Sequence, residues 1–215
     1  MKIAFNRITT FKAIFLALLF VLWSCEETQD APQDPDEPEG EYAVGDTGPA
    51  GGLVFLDKGD DTGGWRYMEV NLEDLGEFQW GCFNTPVSEA RQAELGKGLE
   101  NSEYIVNFHN SFQNFYANPG ECSTESNGTV AALVTAEFTQ NGFDDWHLPS
   151  SDEMMIIYQN LHQRGLGNFN TDKIYWTSTE QTDNTAVAVD LNLGRGGLLC
   201  KQCAEVTTLR AVRYF

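Results

Sequence analysis

The apolar and polar positions of this chain fall into three regimes. Residues 13–23 (AIFLALLFVLW) are an unbroken apolar run. Residues 26–41 (EETQDAPQDPDEPEGE) contain eight acidic residues, three prolines and no large apolar side chain. From Tyr42 onward, apolar residues recur with the periods of strands and helices. Leu53–Leu56 and Trp65–Val70 read as the strands of a hairpin, joined by the turn-rich stretch Asp57–Gly64. Tyr104, Ile105, Phe108, Phe112 and Phe115 lie at three- and four-residue spacing, which predicts a helix capped by Asn101 or Ser102. Val130, Leu133, Val134 and Phe138 predict a second helix, stopped by Asn141-Gly142. A third starts at Ser150, which forms a capping box with Glu153. It buries Met154, Ile157, Tyr158 and Leu161 and ends at Gly165. Ile174–Ser178, Ala186–Leu191 and Leu209–Tyr214 read as strands, and Asn192–Gly197 as a glycine-rich turn. Gly45–Gly51 has the look of two collagen triplets, too few for a triple helix, so a glycine-rich turn is expected there. Strands, then helices, then strands without βαβ alternation predict an α+β domain with an antiparallel sheet and about three helices.

The apolar run is shorter than the roughly 20 residues a spanning helix needs. Lys2, Arg7 and Lys12 precede it, the order expected of a secretory signal. Leu22-Trp23-Ser24-Cys25 then resembles a bacterial lipobox, with Trp23 bulkier than usual. The expectation is that residues 1–24 are removed and that Cys25 carries the lipid. The membrane is then a partner through that lipid. Residues 25–41 form a tether, too poor in apolar surface to fold and stretched by charge and proline. Residues 42–215 form the folded domain. The acidic cluster behind Cys25 resembles the export signals of surface lipoproteins. The expected location is the cell envelope, as an outer-membrane lipoprotein exposed at the cell surface.

Charge narrows the partners. Without the three cations ahead of Cys25 the chain keeps 10 Lys+Arg against 32 Asp+Glu, a net −22. Such a field repels nucleic acid. Beyond Cys25 there are four cysteines, Cys82, Cys122, Cys200 and Cys203, and an even number in an exported chain suggests disulfides. Three pairings are open, of which Cys82–Cys122 with Cys200–Cys203 is favoured.

Calcium is the cofactor that fits the acidic loops, since it takes six to eight oxygens. Asp57, Asp60 and Asp61 are the candidate ligands, and Asp144-Asp145 is a second acidic pair. The spacing is not that of an EF-hand, and an exposed polar turn is the plainer reading of each loop alone. His109, His147 and His162 are scattered, which argues against zinc. Cys200-x-x-Cys203 lacks the βαβ setting of a redox pair, so a structural clamp is preferred, with an oxidative enzyme using Cys200 and Cys203 as the alternative. No Gly-x-Ser-x-Gly elbow or phosphate loop is present. No catalytic set is expected.

Several motifs occur in one order. They are Val44–Gly52, Trp80-Gly81-Cys82, Asn141–Ser150 leading into Asp152-Glu153, Tyr175–Glu180, and Leu209–Arg213. Together they resemble the bacterial domain family typified by the C-terminal domain of the collagen-like adhesin Lcl, over residues 42–215. The resemblance implies a fold similar to C-type lectins and to formylglycine-generating enzymes, in surface or exported proteins. The named adhesin binds sulfated glycans, but this domain is acidic. Cys200-x-x-Cys203 is not part of that pattern, and the Glu-Pro-Asn and Trp-Asn-Asp signatures of sugar-binding C-type lectins are missing.

The expected role is therefore non-enzymatic binding of a glycan or surface protein. A structural envelope lipoprotein is a further alternative. Trp65, Trp80, Trp176, Asn192 and Arg195 are the candidate ligand residues, through stacking and hydroxyl bonding. Burial in the core is the expected fate of Trp146 and Trp176. Tyr175 and Trp176 should point to opposite faces of one strand, and so should Arg210 and Arg213, one of them pairing with a buried carboxylate such as Glu153 or Glu180.

Overall fold

A computed structural model describes residues 41–215. The signal-like segment, Cys25 and all but the last residue of the tether lie outside the described residues. The domain is mixed α+β, with two sheets and three α-helices. Among the described residues no helix is long and apolar enough to cross a membrane.

The first sheet has the order β1 (Leu53–Asp57), β2 (Tyr67–Val70), β7 (Val212–Tyr214), all antiparallel. The β1–β2 hairpin is the one the apolar pattern predicts. The second sheet has the order β5 (Arg195–Cys200), β4 (Thr185–Asp190), β3 (Ile174–Glu180), β6 (Thr207–Thr208). Its β3–β6 pair is parallel, so the expected antiparallel sheet is two sheets, one of them mixed.

Strand β5 falls where a turn is expected. The turn is shorter, ending at Gly194, and Gly196 and Gly197 pair with Val189 and Ala188. Glycine weakens a strand, but β5 is an edge strand whose first four residues are exposed, so little packing is lost.

The three helices are α1 (Gly98–Asn110), α2 (Ala131–Ala136) and α3 (Ser151–Asn160). In α3 the capping box forms as expected, with Ser150 Oγ accepting from the Glu153 amide and Glu153 Oε2 accepting from the Ser150 amide at 2.8 Å. In α1 the expectation fails. The helix starts at Gly98, with no side-chain cap, and stops before Phe112 and Phe115. Its buried stripe is Gly98, Asn101, Ser102, Ile105 and His109, while Tyr104 is exposed. Most of that stripe is polar, so apolar periodicity marks only part of the buried face: Ile105 lies in the core and Phe108 packs on it, beside Asn101, Ser102 and His109. Gly98 is required because a Cβ there would lie 2.3 Å from Glu153 Oε2. Helix α2 ends ahead of Asn141-Gly142, which instead form a tight turn between Gln140 and Phe143 with positive φ at both residues.

Strand β3 separates two apolar clusters. Trp176 joins Trp80, Ile105, Ala131 and Leu148. Tyr175 joins Phe55, Met68, Met154 and Ile157. One aromatic per face is what alternation along a strand requires. Both disulfides take the favoured pairing, Cys82–Cys122 and Cys200–Cys203.

Candidate functional site

Buried charges are the first features to place. Glu69 is wholly buried on β2, and the glycine-rich stretch folds around it. Its carboxylate accepts from the Ala50 amide at 3.1 Å and the Gly52 amide at 2.8 Å. A Cβ on Gly48 or Gly52 would lie within 3 Å of it. Opposite in register stands Arg213. Its Nη1 donates to Glu69 at 2.8 Å, and its Nε and Nη2 form a fork onto Asp145 at 2.7 and 2.9 Å. Gln140 and Asn141 close the ring by donating to the Ala50 carbonyl.

Arg210 makes a separate knot, donating to Asp74 at 2.6 Å and to the Asn71 and Asn168 carbonyls. The expectation that one of these arginines meets a buried carboxylate holds, but the carboxylate is Glu69. Glu153 is held instead by amides and the Tyr214 hydroxyl at 2.8 Å. Burial pushes its carboxyl above the ordinary range, against those donors. Glu180 takes Lys201 at 2.5 Å and Arg91 at 2.9 Å. The ordered motifs are therefore bound into the frame of the domain.

The acidic loop does not assemble a calcium site. Arg66 forks onto Asp57 at 2.8 and 3.0 Å and holds its carboxyl below the usual range. Asp60 accepts from the Thr62 amide at 2.8 Å and lies 3.7 Å from Lys58 Nζ. Asp61 is exposed, and its main chain closes the turn with Gly64. Two cations already supply the charge a metal would bring. Among the described residues no group of three His, Cys, Asp or Glu is placed to hold a metal.

The five candidate ligand residues are dispersed. Trp80 and Trp176 are fully buried, their indole N–H groups donating to the Thr177 and Phe78 carbonyls at 2.8 and 3.0 Å. Neither is free to stack on a sugar. Asn192 is exposed in the turn before β5. Arg195 borders a groove of about 140 Å³ on the outer part of the second sheet. Trp65 alone reaches a larger cavity, of about 270 Å³, with Gly63, Gly96 and Tyr214. Its ring stacks on Tyr214 at 4.8 Å and carries Lys58 Nζ at 4.2 Å, contacts that take up ring face a sugar would need.

The most capacious of these hollows was not legible in the sequence. It is a cleft of about 400 Å³ beside α1, within the size range of small-molecule sites. Leu99, Val106 and Ala136 give it apolar walls, and Glu103 and Asn107 on the exposed side of α1 give it a polar rim. It adjoins the Trp65 cavity along Leu99 and Glu103. Trp146 and His147 complete its lining.

These two residues are held by structure on either side. The His147 main chain bridges to Val212 with two 2.9 Å bonds, and its ring lies 4.4 Å from that of Tyr214. Trp146 packs on Phe138 and Ala50. Both are buried, yet Trp146 Nε1 and the two His147 ring nitrogens make no hydrogen bond of good geometry. Burial and the Arg213 charge pull the His147 pKa down to about 3, offset in part by Asp145, so the imidazole is neutral at physiological pH.

His109 shows the ordinary alternative. Also buried, and lowered to about 4, it bonds through both nitrogens, to the Ile105 carbonyl at 2.7 Å and from the Cys82 amide at 2.9 Å. Ser102, the hydroxyl in the cleft, is not a free nucleophile, because its Oγ lies between the Gly98 and Leu148 carbonyls and the Leu148 amide.

The chain matches no model of a known protein family, and no curated protein is similar enough to it to stand as a relative.

Proposed function

We propose that this chain is an exported, lipid-anchored protein of the bacterial envelope whose domain binds a glycan or a surface protein without chemical turnover. The cleft carries this reading. It combines apolar walls with an indole N–H that has no partner inside the fold and an imidazole whose nitrogens make no well-formed hydrogen bond. Buried polar groups are nearly always paired, and those that are not call for an explanation such as a ligand. The spent hydroxyl of Ser102 and the closure of all four domain cysteines into disulfides favour binding over catalysis. The lipobox-like Cys25, the acidic tether and the ordered motifs similar to the Lcl C-terminal domain support an outer-membrane, surface-facing location and a C-type-lectin-like fold.

The test is a broad array of glycans and surface proteins, probed with the full-length chain in detergent micelles, with calcium and with chelator. Binding is expected in both conditions and should be lost in Val106→Trp, which fills the cleft. Binding of nothing on the array, or equal binding by Val106→Trp, would sink the reading. Palmitate labelling that survives Cys25→Ala would separately remove the anchor.

A further inference from the structure

The lining of the cleft also says which charge its ligand carries. Resting on the binding reading above, we propose that the Trp146–His147 cleft takes an uncharged, hydroxyl-bearing ring, a neutral sugar residue, and rejects uronic and sulfated sugars. A neutral imidazole offers one donor and one acceptor, whichever tautomer it adopts, and an indole offers one donor. A hydroxyl both donates and accepts, so it satisfies either imidazole nitrogen. Neighbouring ring hydroxyls can then accept from Trp146 Nε1 and donate to the Glu103 carboxylate on the rim.

The apolar face of a sugar ring suits Leu99, Val106 and Ala136. An anion has no counter-charge here. No lysine or arginine lines the cleft, Glu103 stands at its mouth and Glu100 lines the adjoining cavity. The imidazole stays neutral because burial lowers it so far, so it does not become a cation for an acidic sugar at any ordinary pH. The unpartnered nitrogens lie in the wall, shut off from solvent. A hydroxyl that wedges into the wall and reaches them therefore gains hydrogen bonds that bulk water does not supply. A directly opposed charge is costly to overlook in such a site, so discrimination of about tenfold or more against the acid is expected.

The experiment follows the indole N–H signals of the ¹⁵N-labelled full-length chain in micelles by NMR, with Trp146→Phe to assign the relevant one. The probes are glucose, galactose and mannose, each against its own uronic acid, so that only charge changes. At least one neutral sugar should shift the Trp146 signal. The Trp80 and Trp176 signals should stay still, since those N–H groups are already bonded. The matching uronic acid should bind at least about tenfold more weakly, and Glu103→Lys, an exposed change that leaves the core alone, should narrow or reverse that preference.

A Trp146 signal unmoved by every neutral sugar overturns the inference, as does equal or tighter binding of the acid. If array ligands bind while the Trp146 signal stays still, the inference fails and the binding reading stands. If nothing binds in either assay, both fail.

Discussion

Residues 145–147 place next to one another a side chain that belongs to a completed polar network and two that do not. Asp145 belongs to a completed network. With Glu69 it takes three N–H groups of Arg213, and Glu69 is further held by the Ala50 and Gly52 amides. Trp146 and His147 are buried as Glu69 is, yet their side-chain nitrogens make no well-formed hydrogen bond. Completed networks fix a structure, because removing any member strands a charge. Incomplete ones add nothing to stability.

The comparison breaks first if the network proves dispensable. Arg213→Met should cost about 3–5 kcal/mol, since it leaves Glu69 buried without its cation. The check is the urea midpoint with its slope. A loss below about 1 kcal/mol would mean that the carboxylate finds enough support from amides alone.

Acid should sharpen the contrast between the two buried histidines. His109 and His147 are lowered to about 4 and about 3 from 6.5. As pH falls through 6.5 the unfolded chain takes up protons that the folded chain refuses. Stability therefore drops between roughly pH 6.5 and 4, by on the order of 3 kcal/mol per histidine. Glu153 runs the other way, because its raised carboxyl lets the folded state hold a proton longer, and it offsets part of the loss. Denaturation at pH 7 and pH 4.5 should show His147→Phe with a flatter dependence and little cost at neutral pH. His109→Phe should flatten the dependence too, but pay at pH 7 for stranding the Cys82 amide. Equal costs at pH 7 would erase the distinction.

The smallest effect is the most direct. Trp80→Phe and Trp146→Phe remove the same atoms, but only the first breaks a hydrogen bond, to the Thr177 carbonyl. Trp80→Phe should therefore be the more destabilising by about 1 kcal/mol, read from paired thermal or urea melts. Parity would imply that Trp146 Nε1 has a partner after all.

Legibility in the sequence followed how local each signal was. The β1–β2 hairpin, the capping box at Ser150 and Glu153 and the opposed rings of Tyr175 and Trp176 each depend on residues a few positions apart. The start and the full buried face of helix α1 are not legible in the sequence, because the polar side chains of Asn101, Ser102 and His109 share that face with Ile105. Those side chains are admitted to the core only by partners such as the Gln92, Gly98, Ile105 and Leu148 main chains and the Cys82 amide. Of the ligand candidates, Trp65 alone borders a large cavity. Tryptophan count says nothing about which indole has its N–H already bonded. The burial of Trp146 is legible in the sequence, but its missing partner is a property of the space around it.

The sequence by itself determined the α+β order of elements, the even set of four cysteines available for disulfides and the strongly acidic composition, because periodicity, capping, cysteine count and charge are carried by the residues themselves. Only the tertiary structure decided that Arg66 and Lys58 fill the acidic loop, that Arg213 belongs to Glu69 and Asp145, and that a cleft opens over Trp146 and His147. Each of those outcomes turns on whether a group finds a partner brought from far along the chain, and that is settled by packing in three dimensions.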